Sequence, residues 1–134
     1  MRKALPAFSY LAAPPFALTH VRDIEWFEGP LLSEFEALGG QRYLLCWRDM
    51  DDEYNRWLVL WFEPEQLRAY EAQEVPLISF WLAQKNVFLV DTDRDGKFAR
   101  WALVDITTLP KSYWPTAEAM HDPALAPPTS CGAP

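Results

Sequence analysis

The chain has 134 residues, half of them hydrophobic, and a formal net charge of −7. This hydrophobic content excludes a disordered chain, and the length suits one domain built on one core. The acidic charge argues against direct nucleic-acid binding, which needs Lys and Arg to neutralise phosphates, and it favours a partner with a basic surface.

Residues 1–20 combine a basic start with an apolar run, and in this they resemble a signal peptide. Pro6 and Pro14, however, break the helix that such a run must form. No stretch of the chain approaches the roughly 20 apolar residues of a membrane span. We therefore predict a Pro-rich N-terminal arm whose large residues, such as Phe8 and Phe16, pack onto one face of a sheet. We also predict a cytoplasmic protein with no membrane contact.

Residues 21–115 are predicted to form one α+β domain with an antiparallel sheet of about six strands. Apolar residues at strand spacing indicate two strands, at 21–27 and 31–38. Two further strands are predicted at 43–47 and 57–62. Because the connections between these four strands are short, we expect a four-stranded meander.

The third and fourth predicted strands are apolar on both faces. Tyr43 and Leu45 share one face, whereas Leu44 and Cys46 share the other, since successive side chains of a strand point to opposite sides. A sheet with one solvated face would alternate apolar and polar residues. These strands should therefore be central, with cover on both sides, and only the charged turns should reach water.

A helical segment follows the meander. A proline and a glutamate in the first turn predict a helix over residues 64–73. Residues 77–83 are ambiguous, and their apolar spacing favours a helix over a strand. A second hairpin is predicted from strands at 86–90 and 97–106. Residues 116–134 form an irregular tail rich in Pro and Ala.

Two acidic turns join the strands of the two hairpins. Their carboxylates are Asp49, Asp51, Asp52, Glu53, Asp91, Asp93 and Asp95. Because carboxylates cannot be buried without partners, both turns are predicted to be exposed. Charge clusters on turns are usually only solvated, so the simpler interpretation is that both are ordinary exposed hairpin turns without a binding role. The sharper interpretation is an acidic surface that binds a basic partner.

The second acidic turn also matches the opening of a calcium loop, with Asp91, Asp93, Asp95 and Gly96 in the pattern D-x-D-x-D-G. The position of the bidentate Glu that completes the motif is Ala102 here, and the flanking segments are predicted strands rather than helices. A plain hairpin turn is the favoured interpretation. No metal site and no cofactor are predicted.

Groups suited to catalysis are sparse. His20 and His121 lie in the arm and the tail, and neither Cys46 nor Cys131 has the spacing of a metal ligand. Cys46 lies in a predicted core strand, where a thiol is inert, and both thiols are expected to be free. No serine occurs in the context of a nucleophile elbow. We therefore predict no catalytic residue and a non-enzymatic protein.

One set of short segments runs through most of the chain. It comprises Phe27-Glu28-Gly29-Pro30-Leu31-Leu32, Tyr43-Leu44, Trp47, Asp49, Asp51, Trp57-Leu58-Val59, Val87-Phe88-Leu89-Val90, Leu109-Pro110 and Tyr113-Trp114-Pro115. In this pattern and in the order of its elements, the chain resembles a family of small uncharacterised bacterial domains. The resemblance implies a single α+β domain of bacterial type, and it implies no activity and no site residue.

The sequence favours a non-enzymatic module that binds another protein through its acidic turns and an aromatic face. An accessory, immunity-like or inhibitor subunit, for example in a bacterial defence or toxin system, would fit this description. The alternative is a sensor of a small molecule or cation, because seven Trp could line a pocket and residues 91–95 could hold an ion. The identity of the partner, the oligomeric state, the pathway and the strand order stay open.

Overall fold

The computed structural model describes residues 4–127. Its six strands form one antiparallel sheet in which sequence neighbours pair throughout. The strands are β1 (Leu18–Trp26), β2 (Pro30–Ala37), β3 (Arg42–Met50), β4 (Asn55–Phe62), β5 (Asn86–Thr92) and β6 (Phe98–Asp105). The prediction of an α+β chain with about six antiparallel strands is confirmed, and strands predominate over helices.

Two short helices connect β4 to β5, namely α1 (Pro64–Glu71) and α2 (Ile78–Leu82). The predicted preference for a helix after residue 77 is confirmed. Helix α1 ends earlier than predicted, because Gln73 has a φ of 61° in the left-handed region, which terminates helices. Neither helix within residues 4–127 is long and apolar enough to cross a membrane.

One face of the sheet, which we call the outer face, carries the larger core. Its strand residues are almost completely buried and include Leu32, Leu44, Cys46, Leu58, Leu60 and Leu89. The two helices and the segment after β6 cover this face with Tyr70, Phe80, Trp81 and Tyr113. Burial of each large apolar side chain here stabilises the fold by about 1.5–3 kcal/mol relative to exposure.

The opposite face, which we call the inner face, is lined by aromatic rings. Buried Tyr43, Leu45 and Val59 lie at its centre. Phe35 in β2 and Phe98 in β6 are four strands apart, which in a flat sheet is about 19 Å. Their ring centroids are 6.0 Å apart. The sheet is therefore strongly curled, with the aromatic rings on its concave side.

The burial of β3 and β4 on both faces confirms the central position predicted for them. Leu58 and Leu60 are 0% exposed on the outer face, and Val59 is 1% exposed on the inner face. Trp61, near the end of β4, and Met50, at the end of β3, are exceptions at 38% and 53%. The predicted organisation, a hairpin that neighbouring segments must cover on two sides, thus describes the sheet.

The N-terminal segment contacts both faces rather than one, so that part of the prediction is wrong. Phe8 packs against the outer core, and Leu5 is buried. The backbone N–H of Leu11 donates to Trp101 O at 2.7 Å, along the edge of β6. Phe16 then stacks on Tyr43 of the inner face with ring centroids 5.0 Å apart. The segment therefore passes around the sheet edge, where pairing with β6 satisfies backbone groups that an open edge leaves unpaired.

The segment after β6 is less irregular than expected, since short 3₁₀ turns at Ile106–Thr108, Lys111–Tyr113 and Pro123–Leu125 punctuate it. Its backbone is tied to the helical segment by the bond from Leu77 N–H to Ala119 O, at 2.7 Å. Cys131 and the end of the predicted tail lie outside the described residues.

Candidate functional site

Three turns lie at one end of the sheet, because alternate turns of a meander share an end. They connect β1 to β2, β3 to β4 and β5 to β6. The Arg94 guanidinium of the third turn donates a hydrogen bond to the backbone O of Asp52 in the second. The two acidic turns, about 40 residues apart in the sequence, are thus adjacent. We call residues 51–54 and 93–97 together the acidic end.

Within the acidic end, two carboxylates shape the turns. Asp51 Oδ1 accepts hydrogen bonds from the backbone N–H groups of Glu53 and Tyr54, both at 2.8 Å. Asp93 Oδ1 accepts in the same way from Asp95 and Lys97, at 2.9 and 3.0 Å. Side chains that bond to nearby backbone in this way stabilise turns.

The other three carboxylates of the acidic end, those of Asp52, Glu53 and Asp95, are exposed to solvent. The structure therefore gathers five of the seven predicted acidic residues on one surface. Arg94 and Lys97 lie on the same surface, so its negative charge is partly offset.

The remaining two carboxylates, Asp49 and Asp91, are not exposed, and the prediction for them is wrong. They belong to β3 and β5 and are only 7% and 1% exposed. Asp91 accepts hydrogen bonds from Arg56 Nε at 2.7 Å and Nη2 at 2.9 Å, and from Arg100 Nε at 2.6 Å. Buried carboxylates are tolerated when paired in this way, and the sequence alone does not show the pairing partners.

These residues form a row of alternating charge across four strands. Asp49 lies opposite Arg56, Arg56 opposite Asp91, and Asp91 opposite Arg100. Directly opposed residues point to the same side of a sheet, here the outer face. We call these four residues the buried charge row.

Arg56 is the centre of this row and is 0% exposed. Besides Asp91, it donates to Pro6 O at 2.6 Å and to the Tyr10 hydroxyl at 2.9 Å. Burial alone would lower its pKa, but the hydrogen bonds to Asp91 and Tyr113 outweigh burial and raise it. Arg56 therefore stays charged and joins the N-terminal segment to the sheet, which is a structural role.

The calcium-like pattern does not assemble as a site. The Asp91 side chain is engaged by two arginines, while Asp93 caps the turn backbone. Three carboxylates that diverge in this way cannot converge on one cation. Between residues 4 and 127, no group of three or more His, Cys, Asp or Glu side chains is placed to hold a metal ion.

Beside the acidic end, the inner face opens into a groove of about 490 Å³, which we call the tip groove. Its lining residues are Phe27, Glu28, Gly29, Pro30, Leu31, Trp47, Met50, Asn55 and Trp57. Phe27 and Met50 are 64% and 53% exposed, which is unusual for large apolar side chains that lie together. Met50 and Asn55 also line the hollow between the acidic turns.

A smaller cavity of about 120 Å³ lies further along the inner face, and we call it the aromatic pocket. It is lined by Ser33, Phe35, Leu45, Trp57, Thr92, Gly96 and Phe98. Trp57 separates it from the tip groove and is fixed by its Nε1–H, which donates to the Thr92 hydroxyl at 3.0 Å. Trp47 is fixed likewise, by a bond to Asn55 Oδ1 at 2.9 Å. Both sites are therefore preformed.

Beside the aromatic pocket lies a cluster that no local sequence pattern indicates, formed by His20, Asp23 and Ser33. Asp23 Oδ1 accepts a bond from Ser33 Oγ at 2.6 Å and lies 2.8 Å from His20 Nε2. A catalytic triad needs the histidine between the serine and the acid. Here both groups contact the same carboxylate oxygen, and Ser33 is 3% exposed. The cluster is suited to fixing the pocket wall rather than to nucleophilic attack.

A second unanticipated cluster lies on the outer face, where Glu25 Oε2 accepts from the Tyr70 hydroxyl at 2.5 Å and lies 2.8 Å from His121 Nδ1. Burial, and then the bond to Glu25, raise the pKa of Tyr70. Nearby Cys46 is a free thiol whose pKa burial raises to about 11. The thiol is therefore protonated at neutral pH and is not a nucleophile. Separations of up to 96 residues hide this cluster from sequence reasoning.

One buried polar atom stands out on the inner face. Within the described part of the chain, Trp101 Nε1 is buried without a hydrogen-bond acceptor. The rings of Phe16 and Phe98 lie at edge geometry to the indole, with centroids 5.4 and 5.6 Å away. A weak N–H···π contact with a neighbouring ring can partly replace the missing hydrogen bond of the indole N–H.

Comparison of the chain with protein-family models, with curated proteins and with solved structures finds no match. The resemblance to a family of small bacterial domains therefore stays a prediction, and the geometry of the acidic end and the inner face is the basis for a functional assignment.

Proposed function

We propose that the protein is a non-enzymatic module that binds another protein at its acidic end, and that this partner presents a basic surface. The observation on which the proposal rests is that the acidic end and the tip groove are adjacent. The acidic turns are joined through Arg94, and the tip groove, with exposed Phe27 and Met50, begins beside them at Met50 and Asn55.

The tip groove and the acidic end together have the composition of a protein-binding surface. Binding energy at interfaces concentrates in a few large apolar and aromatic residues surrounded by a polar rim. In the tip groove the large apolar residues include Phe27, Trp47, Met50 and Trp57. Glu28 together with the acidic end forms the rim. A net charge of −7 would also accelerate encounters with a basic partner.

The chemistry of the buried groups supports a binding role over a catalytic one. The Cys46 thiol is protonated, the buried carboxylate Asp91 is neutralised by two arginines, and the Ser33 hydroxyl donates to a carboxylate rather than to a histidine. An accessory, immunity-like or inhibitor subunit of a bacterial system would use such a surface. A free, buried thiol suits a reducing compartment, and the cytoplasm is the proposed location.

Charge reversal tests the proposal. The triple variant Asp52→Lys, Glu53→Lys and Asp95→Lys inverts the exposed carboxylates of the acidic end. The matched control carries the same charge change at the exposed residues Glu65, Glu74 and Glu118. Protein from a lysate of the native host should be retained by the wild type and by the control, and lost with the triple variant. Equal retention by all three forms would refute the acidic end as the binding surface.

The alternative, a small-molecule sensor, has one observation in its favour, the preformed aromatic pocket. A ligand that binds only the folded state raises the melting temperature. A thermal-shift screen with small aromatic compounds therefore separates the two functions, since a saturable shift that Leu45→Phe removes would favour the sensor.

A further inference from the structure

We infer that the aromatic pocket receives one large apolar side chain of the partner, from a segment in which basic residues flank that side chain. This inference rests on the proposed function and specifies the chemistry of the partner segment.

The dimensions and lining of the pocket suit a single side chain. Its volume of about 120 Å³ is close to the roughly 150 Å³ of an engineered apolar cavity that binds benzene. Leu45, Ser33 and Thr92 form the buried part of the lining. The rings of Phe35, Trp57 and Phe98 are only partly buried. A ring that enters would meet aromatic surfaces on several sides, and aromatic pairs are favourable beyond the apolar area that they bury.

The polar atoms in the lining are already engaged. Ser33 Oγ donates to Asp23, and the Thr92 hydroxyl accepts from the indole of Trp57. An apolar side chain can therefore enter without leaving these groups unpaired, whereas a polar one would find few partners. This selects for an apolar anchor.

The position of the pocket specifies the charge of the flanking residues. Thr92 and Gly96 line the pocket, and the residues between them include Asp93 and Asp95 of the acidic end. Gly96 has a φ of +80°, and no heavy atom lies within 4 Å of the position that a Cβ would occupy. A segment that inserts a side chain beside Gly96 would lie close to this turn, where its carboxylates favour Lys or Arg at adjacent positions.

The N-terminal segment demonstrates this type of recognition within the molecule itself. Phe16, which follows two prolines, is held on the same inner face by Tyr43, Phe88 and Trp101, at ring-centroid distances of 5.0, 5.2 and 5.4 Å. The inner face thus accommodates a phenyl ring presented by a segment that is neither helix nor strand, and the aromatic pocket lies next to that ring across Phe98.

Synthetic pentapeptides test the inference directly. The probes are Lys-Lys-Phe-Lys-Lys, Lys-Lys-Ala-Lys-Lys and Glu-Glu-Phe-Glu-Glu, titrated into the full chain while the indole N–H signal of Trp57 is followed by NMR. The basic Phe peptide should bind at least about tenfold more tightly than the basic Ala peptide, because a buried aromatic anchor contributes more than about 1.4 kcal/mol. The acidic peptide should bind more weakly than both.

The variant Leu45→Phe fills the pocket and should abolish the difference between the two basic peptides, while Leu45→Met, which conserves volume, should retain it. If Leu45→Phe does not fold, Phe35→Trp narrows the pocket from its partly exposed side. Equal binding of the two basic peptides to the wild type would overturn the pocket assignment but not the proposed function. Binding of the acidic peptide as tight as the basic one, or no binding of any peptide, would also overturn the inference. Failure of the proposed function would appear separately, as retention of the host protein by the charge-reversed variant.

Discussion

Asp91 and Asp93 are two residues apart in one hairpin, yet one is 1% exposed and the other reaches solvent. Asp49 and Asp51 differ in the same way. The buried member of each pair lies within a strand, facing Arg56 across the sheet, whereas the other lies beyond the strand end. The contrast between the buried charge row and the acidic end teaches that an opposing arginine, and not carboxylate density, decides which charge is buried.

The two groups should therefore differ in energetic importance. Removing one member of a buried ion pair leaves an uncompensated charge in a region of low dielectric, whereas exposed charges are screened by water and salt. Mutations and pH changes can test this difference.

The largest effect is expected from Asp91→Ala. It leaves Arg56, which is 0% exposed, without its main counterion, so the free energy of unfolding should fall by about 3–5 kcal/mol. Urea denaturation followed by Trp fluorescence measures this loss, with Asp95→Ala in the same hairpin as control. A loss below about 1 kcal/mol for Asp91→Ala would show that the buried charge row contributes no more to stability than the acidic end does.

A smaller loss is expected from Tyr113→Phe. The hydroxyl of Tyr113 donates to Asp49 Oδ2 at 2.9 Å. Deleting it from this buried site should cost about 1–3 kcal/mol, which the same urea experiment can resolve. A double-mutant cycle with Asp49→Asn should give a coupling energy clearly different from zero, and additive losses would show that the hydroxyl acts independently of Asp49.

Alkaline pH should weaken the buried charge row. Burial raises the pKa of Tyr113 to about 12, assisted by the bond to Asp49 and opposed by Arg56. Because this folded-state pKa exceeds the value of about 10 in unfolded chains, the stabilisation is complete below pH 10 and is lost as pH rises towards 12. Unfolding midpoints between pH 9 and 12 should fall less steeply in Tyr113→Phe than in the wild type. Equal slopes in the two proteins would show that ionisation of Tyr113 is not the cause of the alkaline loss of stability.

Acid should weaken the acidic end instead. Although partial burial acts to raise the pKa of Asp51, hydrogen bonds from the backbone N–H groups of Glu53, Tyr54 and Leu5 lower it. A depressed pKa means that the stabilisation is present above the unfolded value near 4 and is lost as pH falls below it. Asp51→Asn should therefore flatten the stability profile between pH 5 and 2, which urea denaturation across this range measures. An acid profile as steep as that of the wild type would contradict the role of Asp51.

The smallest effect is expected from neutralising exposed carboxylates. Glu53→Gln and Asp95→Asn should each change the free energy of unfolding by less than about 0.5 kcal/mol, because surface substitutions away from packed features rarely do more. Urea denaturation checks this prediction in low and high salt. A loss above about 1 kcal/mol would show that these exposed carboxylates stabilise the fold as the buried charge row does, which would contradict the proposed difference.

Local patterns predicted most of the fold. The alternation in Tyr43–Leu44–Leu45–Cys46 identified both faces of β3 correctly, because strand periodicity is a property of neighbouring residues. The partnership of Arg56 with Asp91 was not predictable, because it depends on the register of β4 with β5 across an intervening helical segment of unknown geometry.

The aromatic pocket was hidden for a related reason. It exists only because curling of the sheet brings Phe35 in β2 towards Phe98 in β6, and no local pattern in either strand encodes that approach. The acidic turns, by contrast, were visible as a sequence feature, and the structure added that Arg94 joins them.

Arg56 holds together three parts of the chain that are far apart in sequence, through Pro6, Asp91 and Tyr113. Proteolytic trimming of the first ten or so residues would therefore not resemble the loss of a frayed terminus. It would strip two acceptors from a guanidinium inside the protein and open the sheet edge at β6. Shortened versions prepared for crystallisation, and fusions placed at this terminus, should accordingly leave the segment from Leu5 to Phe16 intact.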